Sequence, residues 1–464
     1  MAEWPSAGEN CQKKLFIPVP VVFHSVKMSQ RTTLILVFLS GMVAALIATL
    51  LPNFNLWFIH DNKRQITASR PGIQSVSHIA LTLPFAIKRK SDHPGGSSSD
   101  SDLESEALSS IHLAQDMIQN NKLEKALKLL KHAIALCPNN PDVLTEYGEF
   151  MERHKKDIVS AEHLYSKALV YSPDHKRAML NKVRTLPLVA EIDQTTFNRV
   201  DKKRDLLVAI PPSHPGLRRM KKESYFQHIH HTTAIEGNTF TLSQARAVVE
   251  TRVAIGGKSV IEHNEIIGLD AALSFLNSTL VQRIGRITKQ DILDIHRRVL
   301  GFVDPVEAGN FRNTQVFVGD FIPPPAGDVP SLIDEFIEWL NSEEALGLHP
   351  IEHAALAHYR FVIIHPFYDG NGRTSRLLMN LILMQAGYPP ITILKEEKHR
   401  YFKYLEKAND GDIRPFIRFI AKVTERTLDD YLIASTDNAN ATFPGLSEFK
   451  DDGRTIIMEE DDER

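Results

Sequence analysis

The run His365-Pro366-Phe367-Tyr368-Asp369-Gly370-Asn371-Gly372-Arg373-Thr374-Ser375-Arg376 holds the side-chain types that phosphate chemistry uses. Gly370 and Gly372 let the backbone approach a ligand closely and turn its N–H groups inward. A helix is expected to start at once, near Thr374, so its positive end points at the same place. Arg373 and Arg376, three apart, share one face of the first helical turn and can reach phosphate oxygens with paired donors. Asp369 offers a hard oxygen ligand of the kind Mg2+ takes beside phosphates. His365 precedes the cradle and can act as a general base near neutral pH. Base, metal carboxylate, anion nest and two guanidinium groups are the parts that phosphoryl-type transfer needs. A plain helix–helix turn built on Asn-Gly, with His365 packed in a core, has no need of so many of these types together. No GxxxxGK[ST] occurs, so the site is not a P-loop. His228, His230 and His231 lie close in sequence, but no cysteine or carboxylate completes a tetrahedral set, and they read as surface or packing histidines.

The elements that must position these residues read as mainly helical. The chain has 464 residues, which is long for one core, and two or three domains are expected. The apolar fraction of 43% and charged fraction of 24% are ordinary for a globular protein. A net charge of -3, with only short basic stretches such as Lys88 to Lys90, gives no nucleic-acid footprint. From 213 to 432 the pattern is helical, for example over 331–341, 350–364 and 374–386. The last of these is apolar nearly all round and is expected to be a buried central helix. Residues 315–322 break the rule. They are β-prone with a Gly-Asp turn and predict a small hairpin with an exposed edge.

Upstream, Leu123, Ala126, Leu129, Ala133 and Pro138 recur as Ile158, Ala161, Leu164, Ala168 and Pro173, every pair 35 apart. Small and apolar residues at helical spacing, ended by Pro, match the tetratricopeptide pattern, and two repeats are placed over 106–179. The extra residue is placed in the 153–157 loop. A connecting helix over 180–212, with Asp193 as N-cap and Pro211-Pro212 as its stop, would cover them. Residues 32–51 carry no charge and are long enough for one membrane span, which favours an uncleaved anchor over a signal peptide. The basic residues on its two sides do not decide its orientation. Cys11 and Cys137 flank this span and cannot pair if it crosses a membrane, so no disulfide framework is expected. Residues 52–105 read as a linker, and 433–464 as a disordered acidic tail. The sequons at Asn277 and Asn440 are compatible with a lumenal C-terminal portion.

The twelve-residue run resembles the Fic family's active-site motif, HPFx[D/E]GNGRxxR, at every motif position. The wider arrangement of anchor, repeats, connecting helix and catalytic domain resembles the animal endoplasmic-reticulum Fic protein adenylyltransferases, from the anchor to about residue 432. The resemblance implies an all-α Fic domain with a short β-hairpin flap, transferring AMP from ATP to Ser, Thr or Tyr hydroxyls. His365 is implied as the base, Asp369 as the ligand of Mg2+ or Mn2+, and Arg376 as the partner of the γ-phosphate. Val318, Gly319, Asp320 and Phe321 of the flap, then Asp369, Gly370, Asn371, Gly372, Arg373, Thr374, Ser375 and Arg376, are implied around ATP. Tyr401, Phe402 and Asn409 are implied at the nucleoside. A second motif, Thr232-Thr233-Ala234-Ile235-Glu236-Gly237, resembles the family's inhibitory [S/T]xxxE[G/N] pattern. It implies that Glu236 denies Arg376 to the γ-phosphate and, in another state, positions a water that removes AMP. The same resemblance implies a single-pass type II protein of the endoplasmic-reticulum membrane, with residues 1–31 cytoplasmic, the rest lumenal, a glycan at Asn277, and a homodimer. The implied target is the lumenal heat-shock chaperone BiP, met partly through the repeats. A tetratricopeptide scaffold with a silent nucleotide-sensing site, or transfer of another phosphate-containing group, are the competing readings.

Overall fold

The chain is mainly helical. The structure, a computed structural model, describes residues 88–89, 98–283 and 286–435. The expected tail, anchor and most of the linker and C-terminal tail therefore lie outside the described residues, as do Cys11 and Asn440. No described helix is long and apolar enough to cross a membrane.

Five helices come first: α1 (Ser98–Gln119), α2 (Leu123–Leu136), α3 (Pro141–Phe150), α4 (Ile158–Tyr171) and α5 (Lys176–Val208). The 35-residue recurrence lands on α2 and α4, which start at the repeated positions and have equal length. Their alanines at 126, 133, 161 and 168 are fully buried. With no side chain beyond Cβ they let neighbouring helices pack closely, around Leu130, Leu144, Phe150 and Tyr165. Asn140 caps α3 and Asp157 caps α4 through their side-chain oxygens. The extra residue sits where expected, in a π turn over Met151–Lys155 closed by left-handed Lys156.

Two expectations need correction here. The linker does not run to 105, because α1 begins at Ser98. The connecting helix is as long as expected but starts and stops four residues earlier than 180–212, over Lys176–Val208, and Asp193 is not its cap. Asp193 lies inside α5, buried, with both carboxylate oxygens on Arg418 at 2.7 Å. An Asp before an apolar run looks like a cap, but here a tertiary partner 225 residues away holds it inside the helix.

The second layer contains α6 (Pro215–Ile235), α7 (Leu242–Thr251), α8 (Val260–Phe275), α9 (Lys289–Leu300), α10 (Val329–Leu340), α11 (Glu343–Leu346), α12 (Pro350–Ile364), α13 (Asn371–Gln385), α14 (Lys398–Asn409) and α15 (Arg414–Ala434). One hydrophobic core runs through it. α12 and α13 form its centre. Ala354, Ala355 and Ala357 on α12 and Leu377, Leu378 and Leu383 on α13 are fully buried. α13 is the buried helix expected from its apolar circumference, although it begins three residues earlier than 374. α15 joins the two layers. At its start Arg414, buried, is ion-paired with Glu162 of α4 and with Asp412, while Asp412 also meets His163 at 2.7 Å.

The predicted hairpin forms at its tip only. Val318 and Phe321 exchange both backbone hydrogen bonds (3.1 and 3.0 Å) around left-handed Gly319. Its outer edge is not open as expected. β1 (Lys88–Arg89), from the segment read as linker, pairs antiparallel with β2 (Phe321–Ile322).

The Asp193–Arg418 pair makes a clean stability test. Asp193→Ala leaves Arg418 unpaired in a mostly buried site and should cost about 3–5 kcal/mol in urea unfolding. Replacing both residues by apolar ones of similar size should come out near neutral.

Candidate active site

The loop between α12 and α13 presents the motif. His365 is the C-cap of α12 and adopts left-handed backbone (φ 50°). That conformation costs a non-glycine residue roughly 1 kcal/mol or more, and it turns the imidazole out of the helix towards the cradle. Burial lowers the His365 pKa to about 4, with Arg312 pushing the same way against the His365–Val362 hydrogen bond. The ring is therefore neutral at pH 7. Its Nδ1 faces the Val362 carbonyl at 3.3 Å, and a carbonyl can only accept, so Nδ1 carries the proton. The lone pair is left on Nε2, the nitrogen that a base would use.

Gly370, left-handed at φ 77°, caps α13. A Cβ there would meet His296 Nε2 at 3.1 Å. The first helical bond runs from Thr374 N to Gly370 O, so the amides of residues 371–373 have no partner inside the helix. Together with the helix dipole they form the anion nest. Gly372 is needed for a different reason. A Cβ there would lie 2.4 Å from Glu236 Oε1.

Glu236 is the C-cap of α6, and its Oε1 accepts from Arg376 Nη2 at 2.6 Å. The same nitrogen donates to Thr232 O at 3.0 Å. The Arg376 side chain is only 2% exposed. Burial works against its charge, but the Glu236 carboxylate outweighs it and the arginine pKa is raised. The turn after Glu236 is pinned to α8: Asn238 Nδ2 donates to Glu262 O (3.0 Å) and to Glu265 Oε2 (2.8 Å), and Thr239 N donates to Glu262 Oε1 (2.7 Å). Glu265 in turn accepts from Arg373 Nη1 at 3.2 Å, and Arg373 Nη2 donates to Asp369 at 2.8 Å. A continuous polar chain thus links the motif carboxylate to the Glu236 turn.

Asp369 is the most open member, with its side chain 64% exposed. Partial burial would raise its pKa, but Arg373 and the Gly370 amide more than offset that and lower it. No group of three or more metal-binding side chains exists among the described residues. One ionised, open carboxylate beside an anion nest is what Mg2+ takes when substrate phosphates supply its other ligands.

The other residues expected around ATP have these partners within the protein. The Asn371 side chain closes the loop on Phe367, accepting from its N–H (3.0 Å) and donating to its carbonyl (2.8 Å). It shapes the nest instead of pointing into it. Tyr401 is buried, and its hydroxyl meets His358 Nε2 at 2.8 Å and Arg376. It therefore braces Arg376 in this structure. Ser375 Oγ donates to Gly372 O (2.8 Å), and Thr374 is fully buried at the start of α13. Arg373 lies beside the cradle with its donors on two carboxylates. Asn409, at the end of α14, accepts from Tyr359. Phe402 is 40% exposed, and Val318, Gly319 and Asp320 form the exposed flap tip, with Phe321 half-buried. Asn277 is exposed, as a glycan acceptor must be. Of the two readings, surface or packing, His228, His230 and His231 take the second: all three are buried in α6.

Three supports escaped the sequence reading. His296 accepts from Gly309 N through Nδ1 (2.8 Å), so its Nε2 donates to Asp369 O (2.9 Å). Its ring also stacks on Phe367 at 3.5 Å. His358 and Glu265 are the other two. His296 and Glu265 are single residues in helices far along the chain from the motif, His358 lies two turns before it in α12, and nothing in the local spacing marks any of them.

Comparison with known proteins agrees with this geometry. The Fic/DOC family model matches residues 286–383. The protein adenylyltransferase Fic of Culex quinquefasciatus is 54% identical over 334 residues, 72% of this chain and 67% of that protein. The one from Drosophila simulans is 46% identical over 445 residues, 94% of this chain and 90% of its own. Among solved structures, Fic-1 from C. elegans has 44% identity and a TM-score of 0.66, covering 71% of this chain and 98% of its own.

The His365 assignment can be checked directly. An NMR titration should place its midpoint near 4, well below an ordinary histidine, with the proton on Nδ1 above that pH. A midpoint near 6.5 would refute the buried, neutral ring.

Proposed function

This chain belongs to the Fic/DOC family, among the protein adenylyltransferases named Fic, and from that membership we propose how its site moves AMP from ATP to a protein and how it is held in check. The observation that carries the proposal is the Glu236–Arg376 ion pair inside the anion nest.

In the transfer direction, Arg376 and the amides of residues 371–373 hold the triphosphate. Asp369 would hold the divalent metal, Mg2+ or Mn2+, which when bound would neutralise phosphate charge. The flap, 318–321, aligns a target segment by strand-like pairing. His365 Nε2 takes the proton of the target Ser, Thr or Tyr hydroxyl. The oxygen attacks the α-phosphorus, the bond to the β-phosphate oxygen breaks, and pyrophosphate leaves. A positioned base of this kind contributes about 10²–10⁴-fold.

Glu236 is the brake. One guanidinium cannot serve a carboxylate and a γ-phosphate in the same geometry. With Glu236 seated on Arg376, a triphosphate cannot place its last phosphate productively. The same carboxylate, next to the cradle, is suited to activate a water that attacks the phosphodiester of an AMP-modified target. Glu236 takes that water's proton, the bond between phosphorus and the target oxygen breaks, and AMP leaves with the attacking oxygen; the freed target oxygen takes up one proton relayed from solvent through His365 Nε2, while Glu236 releases its own to solvent. The enzyme is thus read as bifunctional, adding and removing AMP.

The wider setting is part of the same reading. The uncharged segment 32–51 supports a type II anchor with the catalytic part lumenal, and exposed Asn277 supports a lumenal glycan. Stacked helices α1–α5, with tetratricopeptide-like spacing, support recognition of a folded protein target, taken to be the lumenal chaperone BiP. Val260 and Ile261 of α8 are 74% and 61% exposed. Phe302 and Val306 lie on the adjoining loop, which Asn264 Nδ2 ties to α8 through Phe302 O at 2.7 Å. This apolar face supports a homodimer through the Fic domain.

The test uses α-labelled ATP, Mg2+ and the chaperone. Glu236→Gly should raise label on the target by at least about tenfold, the scale of losing a competing ion pair for one phosphate. Adding His365→Ala to Glu236→Gly should lower it by about 10²-fold or more. Unlabelled protein throughout, despite ATP binding, would leave a silent nucleotide-sensing scaffold. Label from a different nucleotide group would reassign the transferred moiety.

A further inference from the structure

We infer that Arg312 is a positioning residue that fixes the catalytic base against both legs of the flap, and so sets where the target hydroxyl meets His365. The inference rests on the adenylyl-transfer reading above and adds to it a residue outside the motif.

Arg312 is 2% exposed. Its Nε donates to His365 O at 2.7 Å. Its Nη1 donates to Thr314 O at 3.1 Å, and its Nη2 to Pro324 O at 2.6 Å and Ile364 O at 3.5 Å. Its backbone N–H donates to Pro366 O at 3.0 Å. The hydrogen bonds of this buried guanidinium thus go to carbonyl oxygens. Burial is the main reason its pKa is lowered.

Such a cation needs local negative potential. The C-terminal end of α12 supplies it, because the last carbonyls of a helix carry partial negative charge and lack intrahelical partners. The Ile364 and His365 carbonyls are among them.

These bonds join three segments that chain connectivity leaves independent. One is the end of α12 with its left-handed His365. The second is the incoming leg of the flap at Thr314. The third is the outgoing leg at Pro324. Tyr368 adds a second tie to the incoming leg, its hydroxyl accepting from Asn313 N (3.0 Å) and Thr314 N (3.1 Å). Only Arg312 links the outgoing leg to the base among the bonds described here. The planar fork is what allows this. A lysine ammonium could reach one or two of these oxygens, but not both legs and the base in fixed directions.

Arg312 makes none of its bonds to the nest, to Glu236 or to Arg376. Its loss should therefore spare ATP binding and damage the transfer step. A misplacement of about 1 Å can cost about 10²-fold in rate.

The experiment compares Arg312→Met and Arg312→Lys in the full chain carrying Glu236→Gly. It measures ATP affinity, kcat and KM for AMP transfer to the target, and amide hydrogen exchange over residues 315–322. For Arg312→Met we expect kcat to fall about 10- to 100-fold. ATP affinity should stay near the parent value, and exchange in the flap should quicken. Arg312→Lys should recover only part of kcat. A folded Arg312→Met that transfers AMP at the parent rate overturns the inference, as does a rate loss matched by lost ATP binding. If Arg312→Met does not fold, Arg312→Lys decides by the same criteria. A Glu236→Gly parent that transfers no AMP refutes the adenylyl-transfer reading instead. Flap exchange then still decides for Arg312, because unchanged exchange in Arg312→Lys overturns the tether.

Discussion

The structure of this site depends on one buried guanidinium. Arg376 lies on the second turn of α13, almost fully enclosed, where an unpaired charge would be very costly. It must always have an anion. When no phosphate is bound, Glu236 is the anion at hand. The carboxylate on this arginine is a physical requirement: a guanidinium buried this deeply must be kept solvated by protein. On the function proposed above, the same pairing would act as the brake.

The surroundings conform to that need. Gly372 has no side chain because Glu236 comes within reach of where its Cβ would stand. Tyr401 and His358 brace the far side of Arg376. Burial and the nearby Arg376 charge hold the His358 pKa down to about 3, so it stays a neutral acceptor. Asn238, Glu265 and Arg373 carry the hydrogen-bond chain on to Asp369. The Asp369 carboxylate and the turn that carries Glu236 are therefore tied to one network. Networks of this kind act as units, because an unsatisfied buried member is costly. A shift in the turn after Glu236 would be felt at Asp369 as well.

Much of this was legible in the sequence, and the divide follows chain distance. The motif could be read because its parts are contiguous and each type has a chemical reason. The 35-residue recurrence could be read because α2 and α4 are built on it. What could not be read were single residues whose meaning comes from a partner far along the chain. Asp193 looked like a cap until Arg418 was placed beside it. His296 and Arg312 sit in ordinary surroundings, yet both hold the backbone of the motif loop. The Glu236–Arg376 pair spans 140 residues, and spacing alone says nothing about it. It was reached through resemblance, from a six-residue pattern that is weak by itself.

The placement of Asn371 and Tyr401 shows what the long motif encodes. Both were expected around the nucleotide, and in this structure both make hydrogen bonds within the protein, Asn371 to Phe367 and Tyr401 to His358. Asn371 returns both hydrogen bonds of its amide to Phe367, and so closes the loop in the one shape that leaves the amides of residues 371–373 turned outward. Phe367 is clamped in turn by the His296 ring. A motif of this length is therefore less a list of ligand contacts than the instructions for a rigid anion nest. On the function proposed above, the chemistry would rest on fewer side chains: His365, Asp369, Arg376 and Glu236. Rigidity matters because donors that need not reorganise when charge develops stabilise a transition state best. It would also explain how one carboxylate could govern the proposed reaction. In a nest that adapts little, an anion already on Arg376 would leave no second way to seat a triphosphate.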